Sequence, residues 1–272
     1  MSFIRSLDKR QIELLQNNKN NALFNLLKKD IISGVVFPAV RKNQIYFYYE
    51  GGCLYKFSSG KFMRDKAFEN YGSAEGSSDY ETAKKQVENK FTNKMGSVKE
   101  RRLLNALYRH TFGKERLYET IVLDIEVNLN GNVACGKKCD LVLYNVPSGE
   151  IMFVEGKVFS DSRVNVKIGN TPEVIEQVNE YSLAIEEQAQ TIINQYANHV
   201  DIVNCLFGTQ YPTPKKLVQP AKLLVYETPL KLTENNLCII DTINTSLGAN
   251  NLFFVGQEER PLTDEIWNRL CK

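Results

Sequence analysis

Two short apolar runs that each end on charge constrain this chain most. The first is Lys138-Cys139-Asp140-Leu141-Val142-Leu143-Tyr144. The second is Ile151-Met152-Phe153-Val154-Glu155-Gly156-Lys157, and Asn145-Val146-Pro147-Ser148-Gly149-Glu150 lies between them. Runs of this composition around a cluster of turn residues predict two strands and a turn. A turn centred between Pro147 and Ser148 pairs residues whose numbers add to 295, so Asp140 faces Glu155 and Tyr144 faces Ile151. Period-two alternation puts Glu155 and Lys157 on the face that carries Asp140. Three charges then meet at one end of an apolar hairpin. That is costly unless they pair with each other or with a metal.

The 272 residues are 43% hydrophobic and 24% charged, enough for one large globular domain or two small ones. A net charge of +2 says nothing about partners, but the distribution does. From Lys84 to Arg116 ten basic residues face only Glu88, Glu100 and Glu115, and from Glu173 to Asp201 there are six acids and no Lys or Arg. A basic block beside clustered acids suits a phosphate-backbone partner and a metal centre. Two solvated helix faces are the plainer alternative. The six cysteines form no CxxC pair and have no histidine at zinc spacing, so free thiols in a reducing compartment are expected. The start carries no apolar signal core and no 18-residue apolar run occurs, so the expectation is a cytoplasmic protein without membrane spans.

Residues 6–16 and 20–32 carry helical spacing, and three short strands follow at 34–41, 44–50 and 53–57. In the middle strand Tyr46 and Tyr48 share a face, where they would stack on bases if exposed or be core if buried. The segment 71–79, rich in Gly and Ser, marks a boundary between an N-terminal helix and β-meander module (1–75) and a second domain (76–272). Helices are predicted from Ser78 and from Ser97, each with a capping box closed by Glu81 or Glu100. A half-buried strand over 119–129 leads to Asn130-Gly131, a two-residue hairpin signal. That turn pairs Asp140 with Ile121 and sends Asp124 and Glu126 to the other face, unless a bulge slips the register. A long helix is expected from Thr171-Pro172-Glu173 to about Asn198, with Gln177 and Tyr181 one turn apart. After a Pro-rich loop come a strand at 222–226, a helix near 233–246, a strand at 252–255 and a short helix over 263–270.

From Ser97 the predicted order is thus helix, three strands, helix, strand. Across it run Asp140, then Glu155-Gly156-Lys157, then Gln177-Val-Asn-Glu-Tyr181. This resembles the PD-(D/E)xK nuclease superfamily, and within it the RecB-like group with its Q-x-x-x-Y motif, over roughly residues 97–226. Cys139 stands where the family motif has proline, and the first 75 residues fall outside the resemblance. The resemblance implies an α/β (α+β) fold with a mixed sheet and a restriction-endonuclease-like αβββαβ core. It implies Asp140, Glu155 and the backbone carbonyl of Gly156 as ligands of Mg²⁺ or Mn²⁺. Lys157 would position water or steady the transition state, and its acidic neighbours should keep it protonated. Gln177 and Tyr181 would contact substrate or hold Lys157, and Glu100 is a candidate third acid. The nucleic-acid backbone would be gripped by Lys84, Lys85, Lys94, Lys99, Arg101, Arg102 and Arg109.

The implied activity is metal-dependent phosphodiester hydrolysis, in DNA before RNA and as an endonuclease before an exonuclease, of restriction, defence or repair type. A homodimer or a partner protein is compatible with the acidic helix face. Two rivals stay open: a catalytically silent nucleic-acid-binding or assembly protein on the same fold, and an RNA-directed nuclease. An inert salt-bridged strand end also accounts for Asp140, Glu155 and Lys157 by themselves. His110 and His199 are isolated from any Ser or Cys nucleophile motif, and no glycine-rich phosphate loop occurs, so a hydrolase triad and nucleotide hydrolysis have no support.

Overall fold

The structure is a computed structural model that describes residues 3–17, 22–64, 77–92, 97–109, 111–112, 117–129, 138–229, 232–256 and 262–271. The side chains of residues 77, 78, 91, 92, 97–99 and 101 are also outside the description. The chain is a mixed α/β protein with two sheets. Helices α1 (Lys9–Asn17) and α2 (Ala22–Ile32) lead into an antiparallel meander of β1 (Phe37–Arg41), β2 (Gln44–Tyr49), β3 (Gly52–Ser58) and β4 (Lys61–Arg64). Asn43, Glu50-Gly51 and Ser59-Gly60 take positive φ at its three tight turns, the left-handed geometry that hairpin turns require. The fourth strand was not predicted. Lys-Phe-Met-Arg is too short and polar to signal a strand, and only pairing with β3 defines it.

Helices α3 (Ser77–Thr92) and α4 (Ser97–Tyr108) precede the second sheet. That sheet holds β5 (Thr120–Val127), β6 (Cys139–Asn145), β7 (Glu150–Val158), β8 (Lys216–Tyr226) and β9 (Leu252–Phe254) in sequence order. Strands β5, β6 and β7 pair antiparallel, whereas β8 and β9 add in parallel, so the sheet is mixed as expected. The crossover from β7 to β8 is α5 (Glu173–Phe207), and α6 (Glu234–Leu247) and α7 (Thr263–Leu270) follow. The order from α4 is helix, three strands, helix, strand. Buried side chains from both sheets join in one core, and β1 lies against β5. The expected boundary segment falls mostly within residues 65–76, outside the described residues.

Three expectations needed correction. Helix α5 runs past Asn198 to Phe207, where Gly208 closes it in the left-handed conformation at φ 69°. Pro172, not Thr171, is its N-cap. Strand β8 begins at Lys216, inside the supposed loop. Pro220 is tolerated there because residues 219–221 pair with neither β7 nor β9. Among the described residues no helix is long and apolar enough to cross a membrane.

Candidate active site

The β6–β7 ladder keeps the predicted register from Asn145–Glu150 to Leu141–Val154, which puts Asp140 level with Glu155 one rung on. Alternation turns Glu155 and Lys157 toward α5 and turns Gly156 the other way, toward α4. An ideal Cβ on Gly156 would sit 2.5 Å from Leu104 Cδ2, so glycine is what lets α4 pack this close. The Lys157 ammonium donates to Glu155 Oε1 in a short contact, to the Gly156 carbonyl at 2.8 Å and to Asp140 Oδ2 at 3.5 Å. Glu100 Oε1 lies 4.0 Å from it. The Gly156 amide donates to Asp140 Oδ2 at 2.9 Å. From α5, Gln177 Nε2 donates to Glu155 Oε1 at 2.6 Å and to Tyr181 Oη at 2.9 Å. The structure therefore brings together Glu100, Asp140, Glu155, Gly156, Lys157, Gln177 and Tyr181. Glu155 and Lys157 are 1% and 2% exposed, while Asp140 and Glu100 keep 21% and 16%, so the cluster opens to solvent on their side.

Charge in the cluster is unbalanced. Burial pushes the Glu155 carboxyl up to about 8, and Asp140 adds to the shift while Lys157 opposes it. Glu100 is also raised, first by burial. Burial works against the Lys157 ammonium, but Asp140, Glu155 and Glu100 outweigh it and hold the proton on. Both partners rise for one reason: three carboxylates surround a single cation, and the surplus negative charge is dearest at the most buried acid.

The residues implied as metal ligands fit a hard divalent cation. Glu155 Oε2 is buried without a hydrogen-bond partner, an arrangement that native interiors rarely tolerate. The three expected donors are all oxygens, and all three converge on one cation, the Lys157 ammonium. Among the described residues no group of three or more His, Cys, Asp or Glu is arranged to hold a metal ion. The set at the hairpin has two carboxylates and a backbone carbonyl.

One register expectation fails. Strand β5 pairs Ile121 with Tyr144, then slips by a bulge between Val122 and Asp124, and pairs Ile125 with Leu141 and Val127 with Cys139. Asp140 is thus level with Glu126, not Ile121, and Asp124 and Glu126 share its face. The Asn130-Gly131 turn itself lies outside the described residues. Glu126, at φ 48°, lines a cavity of about 380 Å³ together with Glu100, Asp140, Tyr48 and Lys138. Sequence reasoning missed it because the bulge is invisible in an alternating strand. Asp124 is excluded for a different reason from the one expected. Its carboxylate is fully buried between Arg5 Nε and Arg41 Nη1, each at 2.6 Å, and accepts from Tyr196 Oη at 3.1 Å.

Two cations of the basic block are paired with acids. Lys84 is tied to Asp30 at 3.0 Å, and Arg109 to Glu50 at 3.2 Å. Lys85 and Arg102 are exposed on the surface. Lys94 and the side chains of Lys99 and Arg101 lie outside the described residues, as does the side chain of Ser97 in the expected capping box. Cys53, Cys139, Cys205, Cys238 and Cys271 are free thiols. Compared with protein-family models, curated proteins and solved structures, the chain matches none of them.

Proposed function

We propose that this chain is a nuclease dependent on Mg²⁺ or Mn²⁺ that hydrolyses phosphodiester bonds, in DNA before RNA, on a restriction-endonuclease-like core of the PD-(D/E)xK type. The observation that carries it is the convergence of Asp140, Glu155, the Gly156 carbonyl and Lys157, backed by Gln177 and Tyr181. Asp140, Glu155 and the Gly156 carbonyl would hold the ion. When bound, a divalent cation supplies Lewis-acid stabilisation of charge on the phosphate. Lys157 stays protonated and so acts by placing positive charge at the scissile phosphate and orienting water, not as a base. Gln177 fixes the rotamer of Glu155 by donating to Oε1, which leaves the buried Oε2 without a hydrogen-bond partner and available to a cation. Endonuclease action suits a pocket in which Asp140 and Glu100 stay solvent-accessible.

A silent binding protein is the second reading. It is favoured by one observation: the ammonium already satisfies Glu155 Oε1 and the Gly156 carbonyl without any other cation. One assay separates them. The full chain is incubated with single- and double-stranded DNA and RNA in Mg²⁺, Mn²⁺ or chelator. Metal-dependent cutting is expected, and Asp140→Ala, Glu155→Ala and Lys157→Ala should each abolish it while circular dichroism stays native. Cutting that survives these substitutions removes the site assignment. Metal-indifferent binding with no cutting supports the silent protein.

A further inference from the structure

The cavity beside Asp140 does not end at the second sheet. Tyr48, Glu126 and Lys138 line it and also line a neighbouring cavity of about 530 Å³, whose remaining walls include Arg41, Lys42 and Tyr46. The two cavities therefore adjoin at these three residues and together make a groove between Asp140 and the N-terminal meander. Arg41 of β1 holds Asp124 and so ties the meander to β5, and Arg5, ahead of α1, holds the same carboxylate.

The far half of the groove has the chemistry of a strand-binding surface. Tyr46 is half-buried and offers its ring to the groove, while Tyr48 is buried beside it, the two rings 22° from parallel with centroids 6.3 Å apart. The Lys56 ammonium lies 5.4 Å from the centre of the Tyr46 ring. Lys42 is exposed at the turn after β1, and Lys138 is half exposed at the start of β6, where it meets Glu126 at 3.3 Å. Glu126 is the acid that lines both halves. Cations spaced around aromatic rings are what an unpaired nucleic-acid strand needs: charge for the phosphates and a face for the bases. Bases inside a duplex are already stacked on each other and have no free face to offer.

We propose that this groove is the path of a single-stranded nucleic acid, with a base stacked on Tyr46 and phosphates following Lys42 and Lys138 toward Asp140. The inference deepens the nuclease proposal by naming its substrate class, and it rests on that proposal for the strand's destination. It also gives the N-terminal module a role that the charge pattern of residues 84–116 did not supply.

Binding of fluorescent oligodeoxynucleotides and oligoribonucleotides to the full chain, measured in chelator so that nothing is cut, tests it. The single strand should bind tighter than a blunt duplex of the same sequence. Tyr46→Ala should weaken single-strand binding about tenfold, and Tyr46→Phe, which keeps the ring, should not. Lys42→Gln should reduce the slope of log affinity against log salt by about 0.7. Tighter binding of the duplex overturns the proposal, and so does unchanged affinity in Tyr46→Ala together with an unchanged salt slope in Lys42→Gln. The comparison of deoxy- and ribo-oligonucleotides identifies the strand. A parallel cleavage assay keeps the two ideas apart. Single-strand binding that depends on Tyr46 without cutting in any metal upholds the groove and removes the nuclease. Metal-dependent cutting with unchanged binding by both variants does the reverse.

Discussion

Gln177 Nε2 reaches Glu155 Oε1 at 2.6 Å across the boundary between α5 and β7. Among the described residues it is the one hydrogen bond that ties the long helix to Glu155. Without it Glu155 keeps its short contact with Lys157 but loses the donor that fixes its rotamer. Gln177→Leu should therefore lower cleavage about 10- to 100-fold, the usual cost of losing a side chain that orients a ligand. Tyr181→Phe should cost less, since the tyrosine hydroxyl reaches the acid only through Gln177. Cleavage rates over an Mg²⁺ titration check both, and the Gln177→Leu midpoint should move to higher metal. Equal rates for Gln177→Leu and wild type would detach α5 from the site.

Two aspartates sixteen residues apart in sequence should behave oppositely. Asp124 is sealed between Arg5 and Arg41. Asp124→Ala strands two buried guanidinium groups and should cost about 3–5 kcal/mol, read as a lower denaturant midpoint. Asp140 is partly exposed and crowds Glu155. Asp140→Ala should change stability by no more than about 1 kcal/mol while removing cleavage. A large stability loss at Asp140 would mark it as a structural ion, in line with the inert strand end.

These two residues also mark how far the sequence was legible. The β6–β7 register followed from one well-defined turn, because Pro147 and Gly149 leave few ways to close it, and Asp140, Glu155 and Lys157 came with it. The β5–β6 register did not, because the bulge beside Asp124 shifts the pairing without leaving any mark on alternation. Asp124 and Glu126 were thus assigned to the wrong face together. Helix periodicity found Gln177 and Tyr181, whereas the basic block at 84–116 was legible as charge but not as pairing. Charge counts do not show that Lys84 is neutralised by Asp30 or Arg109 by Glu50, both distant in sequence. The cavity between the two sheets depends on how they pack together, and no local pattern encodes it.

Acid should destabilise the fold in two stages. His199 is fully buried beside Asp124, Arg5, Arg41 and Tyr196, and neither ring nitrogen has a hydrogen-bond partner. Burial holds its pKa down at about 3, with Asp124 opposing. The folded state thus keeps His199 neutral while the unfolded chain binds a proton below about 6.5, so stability falls as pH drops through that window. The His199 contribution alone has a slope approaching about 1.4 kcal/mol per pH unit, and between about 4.5 and 6.5 Glu155, which the fold keeps protonated, opposes it. Asp124 adds a second loss. Burial would raise its pKa, but Arg41 and Arg5 hold it at about 2. Its stabilisation is complete above about 4 and disappears as pH falls toward 2. Denaturant midpoints from pH 7 to pH 3 check the first stage. The stability of the wild type relative to His199→Leu should fall as pH drops from 6 to 4, and the variant should be equally or more stable at pH 7, because two unsatisfied nitrogens are removed.

Gly156 joins the two sides of the sheet, and its substitution should couple packing to the site. Its amide donates to Asp140 and its carbonyl accepts from Lys157, while its α-carbon faces Leu104 on α4. A methyl group there would lie 2.5 Å from Leu104 Cδ2, closer than packed carbons tolerate. The contact is with the tip of a side chain, so Leu104 can swing aside, and Gly156→Ala should cost about 1–2 kcal/mol rather than abolish folding. The swing also presses on the α4 turn that carries Glu100, so cleavage should fall further than stability does. Leu104→Ala in the Gly156→Ala background supplies the missing space. The pair should then be more stable than the sum of the single effects, a favourable coupling of about 1 kcal/mol in a double-mutant cycle. Strict additivity would mean that α4 does not rest on Gly156 in solution, and the close approach that positions Glu100 beside Lys157 would go with it.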